Sequence, residues 1–109
     1  MLILFDHGTP RGIARFLPGH TVLRARQRGW DKLSNGDLLA EAERTGFEVF
    51  LTTDKNIRYQ QNLVGRRIAV VVLSMPQWPL VRLQIAEIAA AVNAATPGSY
   101  VEVGIPGPS

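Results

Sequence analysis

Leu2-Ile3-Leu4-Phe5-Asp6 sets four large apolar side chains in a row and closes on a carboxylate. A run this short, with no polar alternation, reads as a strand buried on both faces, as in the interior of a parallel sheet. It is therefore read as the first and central strand. Working outward, Pro10 opens a helix whose apolar side is Ile13, Ala14, Phe16 and Leu17, and Pro18-Gly19 stops it. Thr21-Val22-Leu23 follows as a second strand, Arg24 to Gly29 as a helical turn and Trp30 to Leu33 as a loop.

Ser34-Asn35-Gly36-Asp37 has the form of a helix start, a cap residue followed three positions later by an acid, with Leu38, Leu39 and Ala42 as the buried stripe and Gly46 as the stop. Phe47 to Thr53 reads as a strand that, like the first, finishes in an aspartate, Asp54. Ile68 to Leu73 is an unbroken valine-rich strand. The polar stretch between them, Lys55 to Arg67, reads as a loop or short helix. Met75 to Pro79 is a punctuated connector, after which Val81, Ile85, Ile88 and Val92 recur at helical spacing and make the longest helix. Ser99 to Val103 is read as an edge strand and residues 104–109 as a flexible tail. This alternation is the order of an α/β layer fold with a mainly parallel sheet in one domain, residues 1–103.

Composition agrees with that size. The chain has 109 residues, 46% of them apolar and 19% charged, which is far from a disordered composition and sufficient for one core. It has no cysteine, which excludes disulfides and thiolate metal sites and favours a reducing, cytoplasmic setting. Neither a signal peptide nor a membrane-spanning segment is apparent, so no membrane partner is expected. The ten arginines outnumber the two lysines, and residues 1–35 carry six bases against two acids. That bias leans towards a phosphate-bearing partner, and Arg11, Arg15, Arg24, Arg26, Arg28, Arg66 and Arg67 are candidates to track a nucleic-acid backbone. Half of them are equally well read as a solvated face. The glycines carry no phosphate-loop or dinucleotide fingerprint.

Ligands of open parallel sheets collect beyond the carboxyl ends of the strands, at the switch in strand order. Asp6 and Asp54 each follow a strand directly, and Asp37 opens the helix leading to the second of these strands. These three acids are expected to converge in one crevice, with Asn56 or Glu41 at its edge. Without cysteine or a histidine pair, such a set points to Mg²⁺ or Mn²⁺ and to metal-assisted phosphodiester hydrolysis. Each acid also has a plainer role: a strand-end Asp serves turns, an acid in a first helical turn answers the dipole, and Glu41 sits three residues before Arg44. His7 reads as a hydrogen-bonded loop residue, His20 as a turn residue, and Trp30 and Trp78 as plugs at the core's edge. Lys55 to Arg67 is expected to wall the crevice, with Asn56, Arg58, Tyr59 and Gln61 gripping an unpaired RNA strand. The competing reading is that its amides cap local backbone.

The segments Asn35-Gly36-Asp37-Leu38-Leu39 and Thr52-Thr53-Asp54-Lys55-Asn56 through Tyr59-Gln60-Gln61-Asn62-Leu63, together with the opening Leu2 to Asp6 and Pro10-Arg11, resemble the small PIN-like proteins over about residues 2–75. These are truncated relatives of PIN-domain ribonucleases and toxins. The resemblance implies a Rossmann-like three-layer fold and a metal-dependent endoribonuclease, as in the toxin of a toxin–antitoxin pair. It implies Asp6, Asp37 and Asp54 as catalytic, metal-holding acids, and Thr52 or Thr53 as residues that orient ligands from behind. Asn35, Lys55, Asn56, Arg58, Gln61 and Arg11 complete the expected set in supporting or substrate-binding roles. Expected partners are single-stranded RNA, a small helix-turn-helix antitoxin and a second copy of the chain in a homodimer. The chain departs from full-length PIN domains in lacking the further helical acid before the one resembling Asp37, and only Asp31 and Glu41 lie nearby. A catalytically weak or inactive RNA- or protein-binding module of the same fold is therefore the alternative.

Overall fold

A computed structural model describes residues 1–107. Five strands, β1 (Leu2–Phe5), β2 (Thr21–Arg24), β3 (Val49–Thr52), β4 (Ala69–Leu73) and β5 (Tyr100–Val103), form one sheet in the order β2-β1-β3-β4-β5. Every pairing is parallel. The α-helices are α1 (Asn35–Arg44), α2 (Ile57–Gln60), α3 (Trp78–Val81) and α4 (Ile85–Asn93), and 3₁₀ turns span Arg11–Phe16, Ala25–Arg28 and Arg82–Gln84.

The apolar runs explain the layers. Alternate residues of each central strand enter different cores: Ile3, Phe5, Val49, Leu51, Val71 and Leu73 lie on one face, and Leu4, Phe50, Val70 and Val72 on the other. The second face is covered by Leu38, Leu39 and Ala42 of α1 and by Ile57 of α2. The first is covered by Ile13 and Leu17 from the first 3₁₀ segment and by Val81, Ile88 and Val92 from the last helices. The result is a compact α/β domain of three layers.

The connections are not uniform. From β1 to β2 the chain crosses the first face, and it then returns in the opposite direction over the second face to β3 and on to β4. The step from β4 to β5 continues in that direction but crosses the first face, so it is opposite in hand to the three before it. Packing supplies the reason. Ile13, Leu17, Val81 and Ile105 cover part of the first face, and without α4 much of the rest of a fully apolar sheet surface would meet water.

Local expectations fare unevenly. Ser34 caps α1 by accepting from the Asp37 N–H at 3.2 Å, and Gly29 closes its 3₁₀ turn with φ 74°. The Pro10 segment forms a 3₁₀ turn rather than an α-helix. The expected longest helix is broken by Arg82–Gln84, which leaves α4 with nine residues against ten in α1. Ile105, expected in a flexible tail, is buried, and its N–H donates to Ser74 Oγ at 2.7 Å; residues 108–109 of that tail lie outside the described residues. Among the described residues no helix is long and apolar enough to cross a membrane.

Candidate functional site

The strand order reverses between β1 and β3, which makes the crevice at their carboxyl ends the switch point of the sheet. Asp6 and Thr52 stand side by side there. The Asp6 N–H extends the ladder to the Leu51 carbonyl at 3.2 Å, and both side chains continue the alternation onto the α1 face. Thr52 is fully buried, and Asp6 and Thr9 are each 6% exposed.

Hydroxyls hold Asp6. Thr52 Oγ1 donates to Asp6 Oδ2 at 2.5 Å and accepts from the Asp54 N–H at 3.0 Å, so one hydroxyl joins the two strand ends. Thr9 Oγ1 donates to Asp6 Oδ1 and also lies 3.0 Å from the Leu51 carbonyl, sharing its single proton between two acceptors. The loop between Asp6 and Thr9 is pressed against the end of β3: a Cβ on Gly8 would stand 2.7 Å from Thr53 Oγ1, so any larger residue there would displace that hydroxyl. Thr9 and Gly8 were not singled out from the sequence. The Asp6-x-x-Thr9 spacing, a carboxylate with a hydroxyl three residues on, was the available signal.

Asp54 is half-buried. Its Oδ2 accepts from Asn35 Nδ2 at 3.0 Å, and its Oδ1 accepts from the Asn56 N–H at 3.0 Å in a turn that leads into α2. The strand-end aspartate thus serves its turn and also reaches the first turn of α1. Gln61 packs against the same turn, since a Cβ on Gly36 would run into the Gln61 amide.

The three expected acids are not gathered. Asp6 and Asp54 are linked through Thr52, whereas Asp37 is exposed on α1, with only its backbone N–H engaged by Ser34. Among the described residues no group of three or more His, Cys, Asp or Glu side chains is close enough to hold a metal ion. Glu41 is drawn away by Arg44, which binds it through two contacts at 2.9 and 2.7 Å. That hydrogen bond holds the Glu41 carboxyl below the usual carboxylate range. The donor type of the two strand-end aspartates is the one a hard cation takes. Asp6 and Asp54 offer only oxygen, each carboxylate oxygen retains a free lone pair, and Mg²⁺ commonly uses one or two carboxylates with water and substrate phosphate.

A pocket of about 360 Å³ opens beside Asp6 over the ends of β1 and β2. Its lining includes Asp6, His7, Arg11, Arg24, Arg26 and Asp31. The register sets Arg24 opposite Phe5, level with the end of β1. None of the expected wall residues from Lys55 to Arg67 lines it; Lys55 lines a smaller pocket of about 190 Å³ with Ser74 and Glu102.

That polar segment is largely committed to neighbours within the chain. Arg58 lies over the rings of Tyr59 and Tyr100, at 4.8 and 5.8 Å, and within 3.8 Å of Glu102. The hydrogen bond to Tyr59, with Glu102 behind it, raises the Arg58 pKa above the usual guanidinium value. Asn62 accepts from the Val64 N–H at 3.1 Å, the local capping expected as the competing reading. Lys55 and Asn56 are exposed. Burial first, and the hydrogen bond to Glu102 second, push the Tyr100 phenol up to about 12.

Trp30 meets Phe47 edge-on at 6.0 Å beside the second core, and Trp78 packs on the first, so each plugs the edge of a different core. His20 joins the turn before β2 to α4 through Asn93 Oδ1 at 2.6 Å. His7 is exposed in the pocket lining. Comparison of the chain with protein-family models, with curated proteins and with solved structures finds no match.

Proposed function

We propose that the protein is a PIN-like endoribonuclease that cleaves single-stranded RNA with Mg²⁺ or Mn²⁺ held by Asp6 and Asp54. One observation carries the reading: the Thr52 hydroxyl joins the Asp6 carboxylate to the backbone N–H of Asp54, which brings the two aspartates together at the β1/β3 switch point, where open parallel sheets bind their ligands. A cation bound there would polarise a phosphoryl oxygen and lower the pKa of a water. The chain's own residues supply the orientation. Thr9 and Thr52 hold Asp6 from its two oxygens, and Asn35 and the Asn56 N–H hold Asp54 from its two.

The resemblance to PIN-like proteins extends the proposal to a toxin neutralised by a small helix-turn-helix antitoxin. Action in the cytoplasm accords with a chain that has no cysteine. A second reading, a catalytically weak or inactive RNA- or protein-binding module, is favoured by a specific observation: all four oxygens of Asp6 and Asp54 already have in-chain donors, and among the described residues no third acid joins them.

The deciding experiment is cleavage of single-stranded RNA by the purified chain in Mg²⁺, in Mn²⁺ and in chelator, beside the Asp54→Asn protein. Cleavage that needs the metal and is lost in Asp54→Asn supports the nuclease. RNA binding that is unchanged by chelator, with no cleavage under any condition, overturns it in favour of the module.

A further inference from the structure

We infer that the pocket beside Asp6 is a phosphate-binding subsite built by Arg11, Arg24 and Arg26. It deepens the nuclease reading by naming where a phosphate group of the substrate is gripped, and it rests on that reading for the identity of the substrate as RNA.

Among the described residues Arg44, Arg58 and Arg66 are taken up in ion pairs with Glu41, Glu102 and Glu43, whereas Arg11, Arg24 and Arg26 are in none. Arg15 and Arg28 are turned onto aromatic rings, at 5.9 Å from Phe16 and 4.8 Å from Trp30. Five arginines lack such engagement, and three of them, Arg11, Arg24 and Arg26, line one pocket although they come from three different segments: the first residue of the Arg11–Phe16 turn, the last residue of β2 and the 3₁₀ turn beyond it; Arg67 and Arg82 lie outside that lining. Two acids share the lining. Asp6 has both its oxygens engaged by Thr9 and Thr52 and Asp31 is exposed at the rim, and three guanidiniums against these two carboxylates leave the lining with an excess of positive charge.

Three guanidiniums offer planar, forked donors to an acceptor group, the geometry that recognises phosphate in preference to a spherical anion. At about 360 Å³ the pocket falls at the small end of ligand sites, room for a group of about nucleotide size. Its position sets the bound phosphate beside Asp6 at the end of β1, so a strand held there runs past the switch point. The same chemistry would serve a backbone phosphate of an RNA strand or the phosphate of a free nucleotide.

Binding is measured by titration in chelator, so that cleavage plays no part, with three probes: a nucleoside 5′-monophosphate, the matching nucleoside and a six-nucleotide single-stranded RNA. The proteins are the wild type and the Arg11→Gln/Arg26→Gln double variant, which alters two exposed side chains and leaves the core untouched. The wild type is expected to bind a phosphate-bearing probe at least tenfold more tightly than the nucleoside, and the double variant to lose tenfold or more, since a hydrogen bond to a charged group is worth at least that factor. The salt dependence of RNA binding should become shallower by about one unit of slope for each phosphate contact removed. Loss confined to the RNA assigns the pocket to a backbone phosphate, and loss with the monophosphate also assigns it to a terminal or free one; either supports the subsite. Phosphate-bearing probes that bind both proteins equally, or bind neither, overturn it. Because cleavage is scored separately, the subsite can fail while the nuclease stands, and the reverse.

Discussion

Thr52 and Asp6 meet across the central pair of strands, with the Thr52 hydroxyl 2.5 Å from Asp6 Oδ2 and its own lone pair turned to the Asp54 N–H. One buried hydroxyl thereby satisfies a carboxylate and a backbone donor at once. Thr52→Val keeps the shape and strands both partners, so it should lower stability by about 1–3 kcal/mol, read by urea denaturation. Thr52→Ser should recover most of that loss. A Thr52→Val protein as stable as the wild type would show that the hydroxyl is idle.

A cation that binds only the native pair stabilises the fold by mass action, by about 2.7 kcal/mol at a hundredfold excess over its dissociation constant. Thermal melts of the wild type should therefore rise with Mn²⁺. The Asp6→Asn/Asp54→Asn protein should show no rise, and an equal rise in both would locate the ion elsewhere.

Ser34→Ala removes the cap of α1 and should cost about 1 kcal/mol. Because the next residue, Asn35, holds Asp54 at 3.0 Å, fraying there loosens the site as well as the helix. RNA cleavage should fall by more than the change in the folded fraction accounts for.

Gly12 faces the indole of Trp78, and an added Cβ would lie 2.8 Å from Cζ2 of that ring. The ring is packed against the core and cannot swing aside freely, so Gly12→Ala should destabilise by about 1–3 kcal/mol and shift the tryptophan emission. Trp78→Leu in the same chain should return part of the stability.

Tyr100 carries a phenol pushed up to about 12, against 10.0 for the free group. A proton held more tightly in the folded state gives stability that is complete below pH 10 and is lost as pH rises through 12. Unfolding free energies measured across that window should fall more steeply for the wild type than for Tyr100→Phe.

The layers were legible because Leu2 to Phe5 and Ile68 to Leu73 are too apolar for any place but a sheet interior, and Ser34 announces α1 by its spacing to Asp37. Other parts depend on partners distant in the chain. Arg58 reads as a phosphate contact until Tyr100 and Glu102 are folded against it. Arg24 becomes a pocket residue only through its register with Phe5, and Thr9 reaches Asp6 and Leu51 only once β1 and β3 pair. Asp37 fits the resemblance by position, yet in the folded chain its backbone serves the cap while its side chain is exposed. Ile105 lies among glycines and prolines that suggest a loose end, and it is the closing of β5 beside Ser74 that buries it.

The reversed last crossover bears on what a shortened chain would expose. The pairs Leu2–Thr21 and Ile3–Val49 are made by residues that all precede 85–93, so β1, β3 and β4 can pair in a chain whose first face still lacks α4. That surface is then open to chaperones and to other copies of the chain. A fragment cut before Trp78 should aggregate where the chain that includes α4 stays dispersed.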